Sequence, residues 1–127
     1  MGKIHRVIPA PKEGTVWWFH GNSGSGKTYM ALSHDVPNKI VLDGDDLREC
    51  WSLGFSKEDR IKQNLRIARI ARLLWIQGFN VCVATICPYA DLRKKIREIL
   101  PDVRWVYVIG GKEPSDEYPF EEGGWRG

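Results

Sequence analysis

The chain has 127 residues, a formal net charge of +3, 43% hydrophobic residues and 28% charged residues. This composition is ordinary for a folded globular protein and argues against intrinsic disorder. The length suits one domain with its own hydrophobic core. The slight positive charge is compatible with an anionic ligand, although many proteins that bind no such ligand share it.

The cysteines and the first residues indicate the cellular compartment. Three cysteines without a CxxC pair argue against a disulfide framework, and no further His or Cys completes a zinc site. Residues 1–13 contain no apolar signal core, and no window of the sequence approaches a membrane span. We therefore expect a cytoplasmic protein without a membrane partner.

Apolar, β-prone runs alternate with helical patterns along the chain. The predicted strands are TVWWFH, KIVLDGD, NVCVATI and VRWVYVIG; the predicted helices cover Gly26 to Ser33, DDLREC, the segment from the Ser56 cap to Gly78, and PYADLRKKIREIL. This alternation predicts an α/β fold, a three-layer domain with a short, mostly parallel sheet of about four strands. We divide the chain into an arm (1–13), a central domain (14–110) and a loop-like tail (111–127).

The segment GNSGSGKT, Gly21 to Thr28, follows the first predicted strand and opens the first predicted helix. It has the form GxxxxGK[ST] of a phosphate-binding loop. Its glycines let consecutive backbone N–H groups point at one phosphate. Lys27 is expected to reach the outer phosphates, and the Thr28 hydroxyl to bind Mg²⁺. The sequence therefore predicts that the chain binds a nucleoside triphosphate.

A second motif, LDGDDLR, follows the second predicted strand. Its acids should emerge at the same edge of the sheet as the phosphate loop. One carboxylate there can hold Mg²⁺ through water, and another can orient and deprotonate an attacking hydroxyl. No acid directly follows the third strand, which favours a small-molecule kinase that uses Asp43 or Asp45 over a mechanical ATPase.

The chain carries GNSGSGKT, LDGDDLR, LGFSKEDRIKQNLR, ICPY and a strand ending in VYV, in this order. From about Trp17 to Tyr107 it resembles the adenylylsulfate kinases, which make 3′-phosphoadenylylsulfate from ATP and adenylylsulfate. The resemblance implies an ATP-dependent phosphotransferase of sulfate assimilation that uses Mg²⁺. It makes residues 14–110 a phosphate-loop kinase domain, and the predicted three-layer α/β fold a phosphate-loop NTPase-like one. It also implies a small-molecule substrate and no nucleic-acid partner.

The resemblance assigns roles to individual residues. Asp45 would be the base for the substrate hydroxyl, with Lys27 and Asp43 as further catalytic residues, and Thr28 and Asp43 would hold the metal. The phosphates would lie on Gly21, Asn22, Ser23, Gly24, Ser25, Gly26, Lys27 and Thr28. The substrate would contact Asp45, Arg48, Phe55, Asn64, Arg66, Ile86 and Tyr89.

Several positions depart from the family pattern. The chain is slightly shorter between Arg48 and LGF, and Cys87 replaces a serine that is phosphorylated in some relatives, so no phosphoenzyme is expected there. After the fourth strand the family has a basic lid, whereas this sequence continues with GGKEPSDEYPFEEGGWRG. Lys112 or Arg126 could substitute for the lid, turnover could be slow, or a second subunit could complete the site through a dimer.

Two other functions stay open at this stage. A phosphate-loop kinase could act on another hydroxyl, such as a polynucleotide end or a small metabolite. The basic stripe of Lys62, Arg66, Arg69 and Arg72 would suit nucleic acid, although such a stripe is more often a solvated helix face. A nucleotide-binding module with little catalysis is the other alternative, but such a module has less need of Asp43, Asp45 and Lys27.

Overall fold

The architecture is given by a computed structural model that describes residues 12–123. Its elements in chain order are β1 (Val16–His20), α1 (Lys27–Ser33), β2 (Lys39–Asp43), α2 (Gly44–Trp51), α3 (Lys57–Trp75), β3 (Asn80–Thr85), α4 (Ala90–Ile99) and β4 (Arg104–Tyr107). The strands form one sheet in the order β2-β3-β1-β4, and every pairing is parallel. The predicted α/β fold with a four-stranded sheet is therefore confirmed.

The sheet separates two hydrophobic clusters because successive side chains of a strand point to opposite faces. Val16 and Trp18 of β1, with Val81 and Val83 of β3, pack with buried residues of α3 and α4. Phe19, Cys82 and Ala84 pack on the other face with Ala31 of α1 and Val108. Both faces of β3 are thus covered, as its continuous apolar sequence predicts.

Several predicted boundaries were wrong by a few residues. Strand β2 ends at Asp43 rather than Asp45, because the Asp43 carboxylate caps α2 and accepts a 2.9 Å hydrogen bond from the Asp45 amide. Helix α4 begins at Ala90 rather than Pro88, and β4 ends at Tyr107, before Gly110 and Gly111 with their positive φ angles. None of the helices within residues 12–123 is long and apolar enough to cross a bilayer.

Helix α3 changes character along its length. Its apolar residues Ala68 and Ala71 are buried, whereas Ile61 and Leu65 are only partly buried. Near its start the helix buries two polar residues, Gln63 and Asn64. The first turns of α3 therefore face a polar site, and the later turns cover the core. The basic stripe of Lys62, Arg66, Arg69 and Arg72 is exposed.

His20, the last residue of β1, is buried among aromatic rings. Its ring centroid lies 5.2 Å from that of Trp105 and 5.3 Å from that of Tyr107. Burial, together with the positive charges of Arg93 and Lys27, lowers the pKa of His20 from 6.5 to about 3. The folded protein therefore holds a neutral imidazole at this position.

We expect the free energy of unfolding to decrease as the pH falls below about 6.5. In this range His20 binds a proton in the unfolded state, whereas in the folded state it stays neutral down to a pH of about 3. The contribution of His20 to this loss should be about 1.4 kcal/mol for each pH unit in that window. Urea unfolding at about pH 7 and about pH 4.5 measures it in wild type and in His20→Gln. Equal pH slopes in the two proteins would contradict the assignment.

Candidate active site

The phosphate loop connects β1 to α1 at the carboxyl edge of the sheet. Gly24 and Gly26 adopt φ angles of 79° and 97°, in the left-handed region that favours glycine. The Ser25 amide donates to the Asn22 carbonyl at 3.2 Å, which closes the loop on itself. Lys27 Nζ donates to the same carbonyl at 2.9 Å, so the lysine lies against the loop.

Two carboxylates lie near this lysine. Burial lowers the pKa of Lys27, while the negative charges of Asp45 and Asp43 act in the opposite direction. The ammonium group and both acids of the DGD segment therefore share one electrostatic environment. The sequence predicts these acids at the carboxyl edge of the sheet, next to the phosphate loop, and they lie there.

The two acids differ in how they are held. Asp43 Oδ2 accepts a 2.6 Å hydrogen bond from Thr28 Oγ1, and Asp43 Oδ1 accepts from the Asp45 amide at 2.9 Å, so both of its oxygens are engaged. The Asp45 side chain is 92% exposed, and its Oδ1 lies 3.0 Å from Arg48 Nη1. Asp43 is thus fixed beside Thr28, whereas Asp45 faces the space in front of the loop.

A cavity of about 560 Å³ opens between the phosphate loop, α2 and α3. Most of the predicted site residues line it: Ser23, Gly24, Gly26, Lys27, Thr28, Asp43, Asp45, Arg48, Phe55, Asn64 and Ile86. Residues from four distant segments of the sequence therefore meet at one place. A cavity of this size is in the range of small-molecule sites.

Other predicted residues do not line the cavity. Gly21 and Asn22 are buried at the base of the loop, and Ser25 is partly buried within it. Arg66 is exposed on α3, with its guanidinium 5.6 Å from the centre of the Trp51 ring. Tyr89 is 9% exposed, with Lys57 Nζ over its ring at 4.9 Å. The ligand contacts assigned to Arg66 and Tyr89 therefore stay predictions that this cavity does not support.

Cys87 lines the cavity at the position where some relatives carry a phosphorylated serine. Its side chain is fully buried, and burial raises the pKa of the thiol, so the thiol stays protonated near neutral pH. A neutral, buried thiol is a poor nucleophile. The absence of a phosphoenzyme at this position stays a prediction.

The cavity also contains residues that the sequence reasoning missed. They are Gly44, Arg60, Gln63, Ala84, Thr85, Cys87, Pro88, Glu117 and Tyr118. Arg60, Gln63 and Asn64 are three and four residues apart, so helical spacing could have placed all of them on the face of α3 that carries Asn64. No comparable sequence signal connects Glu117 and Tyr118 to the loop, because they lie far along the chain.

Buried hydrogen bonds fix the polar end of α3 against the sheet. The Gln63 amide donates to the Gly44 carbonyl, between the two acids. The Thr85 hydroxyl accepts from Trp18 Nε1 at 2.9 Å and donates to Asn64 Oδ1 at 2.7 Å. A methyl group on Gly44 would lie 3.1 Å from Thr85 Cγ2, so a larger residue there would require the Thr85 side chain to shift. The Gln63 bond and this close approach fix the segment between the two acids against α3 and β3.

Two buried polar atoms at the cavity have no hydrogen-bond partner within residues 12–123. They are Arg48 Nε, a donor, and Gln63 Oε1, an acceptor. The Arg48 guanidinium also lies 4.3 Å from the centre of the Phe55 ring, which holds it in place. Buried polar groups are normally paired, so these two atoms point to a ligand with both anionic and hydrogen-donating groups.

The loop between β1 and α1, the acids after β2 and the parallel sheet define an α/β phosphate-loop domain of the NTPase-like fold. Within that class the sequence matches one family in particular. A family model for adenylylsulphate kinase matches residues 13–113, and the chain belongs to this family.

Individual relatives agree with this assignment. The chain is 41% identical over 102 residues to an adenylyl-sulfate kinase of Pseudomonas aeruginosa, a match that covers 74% of this chain and 52% of the relative. It is 38% identical over 102 residues to an adenylyl-sulfate kinase of Acaryochloris marina, covering 74% of this chain and 50% of that protein. The chain thus spans about half the length of these curated relatives.

A solved structure is similar in fold as well as in sequence. The APS kinase of Mycobacterium tuberculosis, in complex with AMPPNP and APS, superposes with a TM-score of 0.66 at 35% identity. The match covers 76% of this chain and 62% of that one. A TM-score of this size at 35% identity supports the family assignment at the level of the fold.

Proposed function

We propose that the chain transfers the terminal phosphoryl group of ATP to the 3′-hydroxyl of adenylylsulfate, which gives 3′-phosphoadenylylsulfate. The observation that carries this proposal is the convergence of Lys27 and Asp45 on one cavity that also contains two arginines, Arg48 and Arg60. Family membership supports the choice of substrate. So does the related Mycobacterium tuberculosis enzyme, whose structure contains AMPPNP and APS.

The phosphate loop would bind ATP through its backbone. Gly24 and Gly26 line the cavity, and their left-handed conformation lets neighbouring N–H groups face a phosphate. Lys27 now donates to the Asn22 carbonyl and would turn toward the outer phosphates when they bind. Its positive charge would then compensate the negative charge that moves between oxygens during transfer.

Thr28 and Asp43 form a suitable pair for Mg²⁺. A hydroxyl and a carboxylate are hard oxygen donors, and their oxygens already lie 2.6 Å apart. When bound with ATP, Mg²⁺ would neutralise phosphate charge. Asp43 Oδ1 would still accept the hydrogen bond from the Asp45 amide, so the metal ligand Asp43 and the base Asp45 would keep their relative positions.

Asp45 would accept the proton of the attacking hydroxyl. Its exposed carboxylate is paired with Arg48 on one oxygen, which leaves the other oxygen available to the acceptor. Asp43 fits this role less well because both of its oxygens are already hydrogen-bonded. The two acids therefore divide between metal and base.

Recognition of the acceptor would rest on the arginines and amides of the same wall. Planar guanidinium groups can donate paired hydrogen bonds to the anionic oxygens of a phosphosulfate, and both Arg48 and Arg60 line the cavity. Arg48 Nε supplies the unpaired donor and Gln63 Oε1 the unpaired acceptor. Phe55 and Ile86 offer apolar surface for a base. Arg66 and Tyr89 stay predicted contacts.

A transfer assay tests the proposal. Purified protein is incubated with γ-labelled ATP, Mg²⁺ and adenylylsulfate, and the label is sought on the 3′ position. Two other acceptors are tested in parallel: AMP, which lacks the sulfate, and a 5′-hydroxyl oligonucleotide, which is a polymer instead of a mononucleotide. Label on adenylylsulfate alone supports the proposal. Transfer to the oligonucleotide, or ATP binding with no transfer to any acceptor, contradicts it.

A homodimer and a cytoplasmic location stay predictions.

A further inference from the structure

Residues 112–123, here called the tail strap, follow β4 and reach the cavity. The strap contains no helix or strand, yet Glu117 and Tyr118 line the same cavity as Lys27 and Arg48. We propose that the strap is a fixed wall of the acceptor half of the site, held in position by Arg93 and Phe120. This inference rests on the proposed function and names two positioning residues for it.

The first end of the strap is bonded to the phosphate loop. The Asn22 side-chain amide donates to the Lys112 carbonyl at 2.8 Å and to the Tyr118 carbonyl at 3.2 Å. The Lys112 amide donates to the Ser23 carbonyl at 2.8 Å. The contact is close, because a methyl group on Gly111 would lie 2.3 Å from the Ser23 carbonyl oxygen. These bonds fix the first end of the strap to the base of the phosphate loop.

The second end is held by Arg93 of α4, which is fully buried. Its Nε donates to the Gly123 carbonyl at 2.7 Å, and its Nη2 donates to the Glu121 carbonyl. A third bond, from Nη1 to the Cys87 carbonyl at 2.6 Å, ties the same guanidinium to the segment after β3. Burying a guanidinium is costly unless its donors are satisfied, and the strap satisfies two of them.

Phe120, close to the second end of the strap, packs on the last residue of β4. Its ring stacks on Tyr107 with centroids 5.2 Å apart and planes 17° apart, and the Arg93 guanidinium lies 5.0 Å from its centre. The strap is also bonded through backbone, from the Glu121 amide to the Pro88 carbonyl at 2.7 Å. Glu117 and Tyr118 thus lie between two anchors, and neither Arg93 nor Phe120 lines the cavity itself.

These anchors give the strap a function beyond packing. A segment without regular structure adopts many conformations unless specific contacts restrict it. When such contacts already order the segment, ligand binding does not have to supply the entropy lost on ordering. Arg60 Nη2 lies 3.5 Å from the Glu117 carbonyl, so the strap also touches a guanidinium that faces the acceptor. Loss of an anchor should therefore weaken acceptor binding more than ATP binding.

The test compares Phe120→Ala with Phe120→Tyr, which keeps the ring, and with Glu113→Gln, an exposed change on the same strap. We expect Phe120→Ala to raise the KM for adenylylsulfate about tenfold, the upper range for a lost aromatic contact, with a smaller change in kcat and in the KM for ATP. Phe120→Tyr should restore most of the affinity, and Glu113→Gln should behave as wild type. Arg93→Lys, which cannot keep the forked donation, should have the same direction of effect.

Hydrogen exchange provides a readout that does not depend on turnover. In Phe120→Ala the amides of Lys112 and Glu121 should exchange faster, while amides of β3 stay protected. If these amides are released but the KM for adenylylsulfate is unchanged or falls, the strap is no wall and the inference is overturned, with the proposed function intact. If the wild-type chain phosphorylates no adenylylsulfate, the proposed function fails, and the inference fails with it.

Discussion

Replacing Asp45 with asparagine is expected to lower kcat for adenylylsulfate phosphorylation by about 10³-fold, within the usual range for loss of a general base. The side chain keeps its size but can no longer accept the hydroxyl proton. ATP affinity should stay nearly unchanged, because Asp45 takes no part in the loop's internal hydrogen bonds and Asp43 still pairs with Thr28. Steady-state kinetics with adenylylsulfate and equilibrium binding of an ATP analogue measure the two effects.

The neighbouring acid provides the control for this experiment. Asp46 lies in the same first turn of α2, is exposed and does not line the cavity. Asp46→Asn removes the same charge and should retain most of the activity. A second effect of Asp45→Asn is loss of the ion pair with Arg48, but the Asp45 side chain is 92% exposed, so solvent screens the pair and it contributes only about 0–1 kcal/mol. If Asp45→Asn lost ATP binding as strongly as transfer, the base assignment would be wrong.

The sequence predicted those parts of the site that depend on local pattern. GNSGSGKT and LDGDDLR each follow a strand, and parallel strands bring such segments to one edge of the sheet. The meeting of Lys27 with Asp43 and Asp45 could therefore be foreseen without coordinates. The element boundaries could not, because the change from β2 to α2 depends on the conformation of a single capping side chain, Asp43.

Long-range contacts explain what the sequence did not reveal. Tyr118 is held at the cavity because backbone carbonyls of its segment accept hydrogen bonds from Asn22 and Arg93. Every residue has a backbone carbonyl, so the sequence gives no sign of such contacts. Likewise, Gln63 lies on the buried face of α3 because its side-chain amide donates to the Gly44 carbonyl. Helical periodicity, which counts apolar residues, assigns such polar positions to solvent.

Lys27→Ala is expected to have the other large effect, and to weaken both ATP binding and transfer. Removing one preorganised positive or hydrogen-donating group from a transferring anion typically costs about 10²–10³-fold in kcat. ATP affinity should also fall, since Lys27 would contact the outer phosphates in the ground state as well. Lys62→Ala is the control, because it removes the same charge from the exposed face of α3, where Lys62 Nζ lies 3.5 Å from Glu58 Oε1. It should change neither ATP affinity nor kcat measurably.

The pH dependence of ATP binding tests whether the Lys27 ammonium is the group responsible. Burial lowers the pKa of Lys27 below 10.5, so the free protein should lose this proton at a lower pH than an exposed lysine does. ATP affinity should therefore decline as the pH rises toward 10.5, and Lys27→Ala should lack that decline. Because bound phosphate favours the ammonium form, ATP binding at alkaline pH should also take up a proton, which calorimetry in buffers of different ionisation enthalpy detects. An alkaline decline of equal size in Lys27→Ala would assign the titration to another group and remove Lys27 from phosphate binding.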